Sequence, residues 1–456
     1  MKIRLLFITI CALLLSACRL EVYAVGGSVY IDPSQRGSNC PPSSSLADIC
    51  TEYKASDYDP SKGVTVYATP RAGREITGWS LSSCGTESSC TVPAHLITGG
   101  YVLKVFFGSQ NAMEMTWDVQ TDDYGRYALG FSSTSYPGLY SDFSIDWGDG
   151  TMSTNIQNFA VKVYDKPGLK KIKIYGLVKG TSFCPTRGNQ GEVVSIDHWG
   201  DNQWRLLDFM FANCKKPIAI NASDTPDFRR VYSARSMFEN YEVPSDQAVD
   251  ISEWNFGSIP DMTTMFRGAK SYPKGMSSLN TGSLTKAPYM FEKAWNLNQN
   301  INSWNMSKVT NMEGMFKRSH INPDISNWNT RSVTTMEAMF LYAQLFNQNI
   351  GNWDTRSVVN MSGMFKSASS FNQNIGNWDI GNVKFLYSFL GSASSFSTEN
   401  YDSLLNGWAM QINGDNVQFD TTLHVDSQHS SAAINAKAML VNERDWTIED
   451  KGCSDC

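Results

Sequence analysis

From Trp254 to Leu390 the apolar residues recur on two ladders with one shared period. Phenylalanines fall at Phe266, Phe291, Phe316, Phe340 and Phe365, and Phe389 continues the series, at spacings of 25, 25, 24, 25 and 24. A second ladder runs Trp254, Leu279, Trp304, Trp328, Trp353 and Trp378, at 25, 25, 24, 25 and 25. A unit this short cannot bury its own apolar positions, so a fixed period means stacked copies that share a core. Met312, Met315 and Phe316 lie at i, i+3 and i+4, as do Met336, Met339 and Phe340 and also Met361, Met364 and Phe365. That spacing predicts one short helical turn per copy. Val309, Val333, Val358 and Val383, one after each tryptophan, predict one short strand per copy. Equivalent positions then lie about 4.8–5 Å apart if the strands pair in parallel. The methionine stripe reads as core packing, not as a copper or haem site. Recurring amides (Asn300, Asn349, Asn374; Gln299, Gln348, Gln373) are expected to form ladders between copies.

The repeats start before the clean ladder. Ile196-Asp197-His198-Trp199, Leu206 to Phe211 and Ser236-Met237-Phe238 are earlier copies, and the Phe211–Phe238–Phe266 spacings of 27 and 28 predict small looped insertions. Upstream the period changes to two. Residues 19–110 and 111–180 alternate apolar with polar and are rich in Gly, Ser and Thr, which predicts short strands and turns. After residue 396 the period is lost, and residues 397–456, with Tyr401 to Trp408 and Trp446-Thr447-Ile448, are expected to cap the last copy.

The first eighteen residues read as an export signal. Lys2 and Arg4 precede an apolar run from Leu5 to Leu15, too short for a permanent membrane helix, which closes on Leu15-Ser16-Ala17-Cys18. Eight further cysteines lie beyond Cys18: Cys40, Cys50, Cys84, Cys90, Cys184, Cys214, Cys453 and Cys456. An even number fits complete pairing in an oxidising compartment, and proximity suggests 40–50, 84–90, 184–214 and 453–456. Net charge is −6 with no basic tract, which argues against a nucleic-acid partner.

Several segments resemble known families. Leu15 to Cys18 resembles the bacterial lipoprotein box, which implies lipid on Cys18 and a membrane anchor; Arg19 after it implies an outer-membrane address in enteric-type bacteria. The stretch Val64-Thr65-Val66-Tyr67-Ala68-Thr69-Pro70, Gly78-Trp79, Cys84, Cys90 and Val102 to Phe107 resembles the internalin-type B-repeat, which implies a β-grasp-like module. Ile145 to Thr151, with Val161-Lys162-Val163-Tyr164, Pro167-Gly168 and Ile172-Lys173-Ile174, resembles a PKD-type immunoglobulin-like sandwich. Asp149-Gly150 there is a hairpin-turn dipeptide whose two central residues favour positive φ. Asp146 and Asp149 read as turn carboxylates rather than calcium ligands. The units Phe346-Asn347-Gln348-Asn349-Ile350-Gly351-Asn352-Trp353-Asp354 and Phe371 to Asp379 are similar to the repeat of the BspA-like surface-protein family. The fold expected is therefore multidomain: two all-β modules, then an α/β leucine-rich-repeat-like solenoid over 181–396, then the cap.

Catalytic constellations are not evident. The histidines His95, His198, His320, His424 and His429 are scattered, and His424 and His429 lack the spacing of a helical metal pair. No cofactor or metal is expected. One outward row, Lys308, Arg331 and Arg356, occupies matching places on successive copies and is the candidate binding surface for a protein or glycan partner. The function expected is a non-catalytic surface lipoprotein acting in adhesion or protein–protein interaction. The alternative is a glycan-binding accessory lipoprotein with some of the 13 tryptophans as stacking platforms, although a tryptophan in every copy at one register reads as core.

Overall fold

In the computed structural model the described residues are 21–25, 27–31, 48–50, 64–70, 74–79 and 81–456, apart from 86, 94–95, 97–101, 110–111, 122–123, 133–141, 185–190, 203 and 412–421. The first strands are β1 (Glu21–Val25), β2 (Gly27–Ile31), β3 (Asp48–Cys50), β4 (Val64–Pro70), β5 (Arg74–Trp79), β6 (Ser89–Val92) and β7 (Val102–Ser109). They form a four-stranded sheet, β3-β1-β7-β5, in which β1 and β7 run parallel, and a three-stranded antiparallel sheet, β2-β4-β6.

The next strands are β8 (Met113–Val119), β9 (Tyr127–Ser132), β10 (Asp142–Asp146), β11 (Met152–Ile156), β12 (Phe159–Tyr164), β13 (Gly168–Leu177), β14 (Glu192–His198) and β15 (Ala219–Ile220). Six of them make one sheet, β11-β10-β13-β8-β14-β15, and β9 pairs with β12. β8 shows the cause. Met113, Met115, Trp117 and Val119 are buried while Glu114, Thr116 and Asp118 between them are half-buried, which is the period-two burial of a strand with one face on a core. This sheet is not the sandwich expected within 111–180, because it takes β14 and β15 from beyond it, and β15 joins in parallel.

The α/β leucine-rich-repeat-like solenoid is not formed. Residues 221–397 contain no α-helix and no strand; their one regular element is a short 3-10 turn at Met276–Ser278. Two α-helices, α1 (Thr398–Ala409) and α2 (Ile434–Arg444), lie in the C-terminal segment beside the two short parallel strands β16 (Thr422–His424) and β17 (Thr447–Glu449). None of the sheets closes on itself.

The backbone explains why. Each turn of the repeat carries two left-handed residues, four positions apart, with φ between 51° and 67°. One column is Phe209, Ser236, Thr264, Tyr289, Gly314, Ala338, Gly363 and Ser388; the other is Asn213, Asn240, Gly268, Lys293, Arg318, Tyr342, Ser367 and Ser392. An α-helix needs negative φ throughout, so it cannot pass through either column. The backbone donors then divide. The N–H groups of Met312, Gly314, Phe316 and Arg318 donate to the carbonyls of Thr335, Glu337, Met339 and Leu341 in the following turn at 2.7–3.1 Å. The intervening Met315, Lys317 and Ser319 donate three residues back, to Met312, Gly314 and Phe316, at 3.0–3.2 Å. The parallel bridge that recurs in every turn is a single residue wide, through Ser233, Asp261, Lys286, Asn311, Thr335, Asn360 and Phe385, and Asp250–Lys274 and Trp295–His320 add two isolated ones.

The stacked side chains are where the ladders put them. Phe211, Phe238, Phe266, Phe291, Phe316, Phe340 and Phe365 stack with ring centroids 5.3–5.7 Å apart and planes within 13°. Phe389 leaves the column. Its ring stands at 85° to Phe365, and its carbonyl accepts from Phe365 N–H as the Met364 carbonyl accepts from Phe340. It therefore occupies a methionine place, and Leu390 occupies the phenylalanine place. One continuous core runs from Met113 to Trp446, and Phe183, Trp199 and Trp204 bridge the six-stranded sheet to the first turns. At the far end α1 lies against the last turn. A Cβ on Gly407 would meet the Gly376 carbonyl oxygen at 2.1 Å, so only glycine allows this approach.

Candidate functional site

The repeated residues are committed to the stack. Trp304, Trp328, Trp353 and Trp378 are at most 4% exposed, and each indole N–H donates to a carbonyl of the preceding turn: Met276, Ile301, Ile325 and Ile350, at 2.8–3.2 Å. Buried Thr281, Thr330 and Thr355 donate forward, to the carbonyls of Asn305, Asp354 and Asp379. Side chains held in both directions along the stack have no surface left for a ligand, so recognition falls to outward positions.

Lys308, Arg331 and Arg356 are exposed and sit on successive turns. Neighbouring bonds fix their register and correct the expected row: Ser332 donates to the Ser307 carbonyl, Ser357 to Arg331 and Asn382 to Arg356, so Ser307, Arg331 and Arg356 share one place while Lys308 stands one place on, where the later turns have Ser332 and Ser357. The three are not equivalent in charge. Arg356 donates from Nε to Asp354 at 2.8 Å, whereas Lys308 and Arg331 make no ion pair among the described residues. Asp354 stands where the earlier turns have Asn305 and Asn329, each of which accepts a backbone N–H two residues on.

The amide residues divide differently from the expectation. Asn300, Asn349 and Asn374 accept from the N–H two residues later, inside their own turn. The links between turns come from a neighbouring column, in which Asn347 N–H donates to Asn322, Asn372 N–H to Asn347 and Ser397 N–H to Asn372. Gln348 and Gln373 add side-chain donors to the Asn322 and Asn347 carbonyls.

In the hairpin after β10, Asp146 accepts from Gly148 N–H, and Asp149 accepts from the Thr151 N–H and hydroxyl. Lys162 lies 2.7 Å from Asp149 and, with the Thr151 bonds, holds its pKa down at about 2. Both carboxylates thus serve the turn. The left-handed residues are Gly148 and Gly150, with Asp149 outside that region, so the turn is not the one expected with both central residues at positive φ. A Cβ on Gly148 would meet the Lys171 carbonyl oxygen at 2.2 Å.

Disulfides join Cys84–Cys90, Cys184–Cys214 and Cys453–Cys456. Cys18 and Cys40 lie outside the described residues, and with them the lipidation site and the 40–50 pair.

Two features escape the sequence ladders. Trp295, out of register with the tryptophan column, is 42% exposed and stacks on His320 with centroids 3.5 Å apart and planes within 7°. The second is a polar knot under α2. Lys437 bonds both Asp450 oxygens at 2.8 Å, Tyr401 donates to the same carboxylate at 2.8 Å, and His429 Nε2 lies 3.4 Å from the ammonium. Burial pushes the Asp450 pKa up, but the bonds from Lys437 and Tyr401 outweigh it and hold it below the usual carboxylate range. Trp295 was legible as the tryptophan that breaks the period. The knot was not, since its members are separated by up to 49 residues.

Residues 232–322 and 317–418 each match the family model described as Mycoplasma protein of unknown function, DUF285. The two matches overlap slightly and together run from the turn of Phe238 to the end of α1, leaving out the first turn around Phe211. No curated protein and no solved structure matches the chain.

Proposed function

We propose that this chain is a non-catalytic, exported surface protein, held at an outer membrane or cell surface by lipid on Cys18, whose repeat region binds a surface macromolecule in adhesion or protein–protein interaction. The observation that carries this reading is the division of labour within each turn: large apolar residues face inward and are bonded along the stack, while outward places differ from turn to turn and include the Lys308, Arg331 and Arg356 cations. A partner with acidic patches would meet cations on three successive turns, two of them in register, each contact weak and all of them sensitive to salt. The resemblance of Phe346 to Asp354 and Phe371 to Asp379 to BspA-like surface repeats, and of residues 15–18 to a lipoprotein box, supports the location. The resemblances to B-repeat and PKD-type modules are consistent with spacers between membrane and repeats.

The test is a triple charge reversal, Lys308→Glu, Arg331→Glu and Arg356→Glu, in the full chain. Retention on bacterial or host cell surfaces should fall, most strongly at low salt, with unchanged thermal stability. Undiminished retention would sink the charged-row reading. Separately, Cys18→Ser should move the protein from the membrane to the soluble fraction or leave it unprocessed; normal membrane retention would remove the lipid anchor.

A further inference from the structure

A cleft of about 480 Å³ opens on the side of the early turns, between residues 243–245, 270–275 and 296–299. Its wall is polar in a particular way. Lys270 and Lys274 contribute ammonium groups, and Asn296 and Asn298 contribute carboxamides. Lys270 is held by Glu242 at 2.8 Å and Lys274 by the Asp246 carbonyl at 2.7 Å, so both are positioned while each keeps further N–H donors. Ser271 and Tyr272 also belong to the wall, but their hydroxyls are buried away from the opening, the Tyr272 ring lying against the core rings of Phe266 and Phe291.

Beside this wall stands Trp295, next in the chain to Asn296. Its N–H bonds the Ala269 carbonyl, which places it one turn below Lys270. His320, one turn further on, covers one face of the indole at 3.5 Å. Trp295 nonetheless keeps 42% of its surface exposed, and the cleft wall takes up at the very next residue, Asn296. His320 Nδ1 is itself buried and without a partner. A flat aromatic face braced from behind, next to amides and ammonium groups, suits a ligand that is apolar on one face and dense in hydroxyls around its rim. A peptide would instead need side-chain pockets or an open strand edge, and residues 221–397 have no strand.

We propose that this cleft is an oligosaccharide-binding site, with Trp295 at its edge as the platform under a pyranose ring and the Lys270–Lys274–Asn298 wall donating hydrogen bonds to its hydroxyl and carboxylate oxygens. The site lies apart from Lys308, Arg331 and Arg356 and does not depend on their role.

The test presents the full chain to an immobilised panel of neutral and uronate-bearing oligosaccharides, then titrates the retained ones by calorimetry. Trp295→Ala should weaken binding about tenfold or more, the scale of one lost stacking contact, and Trp295→Phe should restore part of it. Asn298→Ala should weaken it without altering the thermal midpoint, since that side chain is exposed. Preference for uronates with a steep salt dependence assigns the lysines to a carboxylate; equal binding of neutral sugars assigns them to hydroxyls; both support the site. Retention of no oligosaccharide, retention unchanged by Trp295→Ala, or displacement of the sugar only by the Lys308/Arg331/Arg356 reversal would overturn it. So would a Trp295-dependent affinity for peptides and none for sugars.

Discussion

β8 and the segment 311–319 present nearly the same problem with different answers. Each has apolar residues at regular intervals, each buries them, and both contribute to the same continuous core. In β8 the period is two, and the strand is paired on both sides, with β13 and with β14. In 311–319 the spacing of Met312, Met315 and Phe316 matches a helix face, yet Gly314 and Arg318 are left-handed and alternate N–H groups leave the segment for the next turn. Apolar spacing states which side chains are inside. It does not state where the backbone hydrogen bonds go, and that second question decides between helix and stacked turns.

The largest test of this contrast is Trp353→Ala. The ring is 4% exposed, stacks on Trp378, and donates to Ile325, so its loss should cost about 3–5 kcal/mol in thermal or denaturant unfolding. Because contacts in the repeats run to neighbours only, hydrogen exchange should accelerate in the adjacent turns more than in β8 and β13. An equal rise in both regions would show that the shared core makes them one cooperative unit.

A smaller loss is expected at the C-terminal knot. Asp450 is 3% exposed and Lys437 24%, so Asp450→Ala strands a mostly buried ammonium, at about 2–3 kcal/mol after discounting for that exposure. The folded carboxyl pKa lies below its unfolded value of about 3.9. Its contribution is therefore present in full above that unfolded value and is lost as pH falls through the folded one. Wild type should lose midpoint temperature below about pH 4 more steeply than Asp450→Asn. Parallel acid profiles would exclude the knot as the source.

The smallest effect bears most directly on the backbone. Ala→Gly should change sign between the two regions. At Ala338, with φ 51°, it should stabilise by about 0.5–1 kcal/mol by relieving the left-handed residue. At Ala128, buried in β9, it should destabilise by about 1 kcal/mol. Destabilisation at both would mean the left-handed column carries no strain.

The ladders made the burial of Trp304, Trp328, Trp353, Trp378 and the methionines legible, because a side chain fixed in register across copies has no other physical use. The helical turn was misjudged because i, i+3, i+4 spacing serves consecutive i→i+3 turns equally well. Asn213, Asn240, Gly268, Gly314 and Gly363 were the available signal, since these residue types tolerate positive φ and recur two places from the ladder phenylalanine. Phe389 was assigned to the wrong column because a 24-residue step occurs elsewhere in the same ladder. On the surface, counting put three exposed cations on successive turns but misplaced Lys308 by one residue, and the Asp354 partner of Arg356 needed side-chain geometry. The cleft beside Trp295 draws on three successive turns, and no local pattern announces it.

The alternating donors have a consequence for length. Every turn accepts from the turn before and donates to the turn after through the same set of backbone groups, so a copied unit of 24 or 25 residues would insert without leaving a group unbonded at either junction. Each insertion would extend the column by one ring spacing, 5.4 Å between Phe316 and Phe340. Reach is thus adjustable in small fixed increments by duplication alone, while the sheet that starts the column and the helix that ends it keep their contacts. The molecule is a ruler whose graduations are its own repeats.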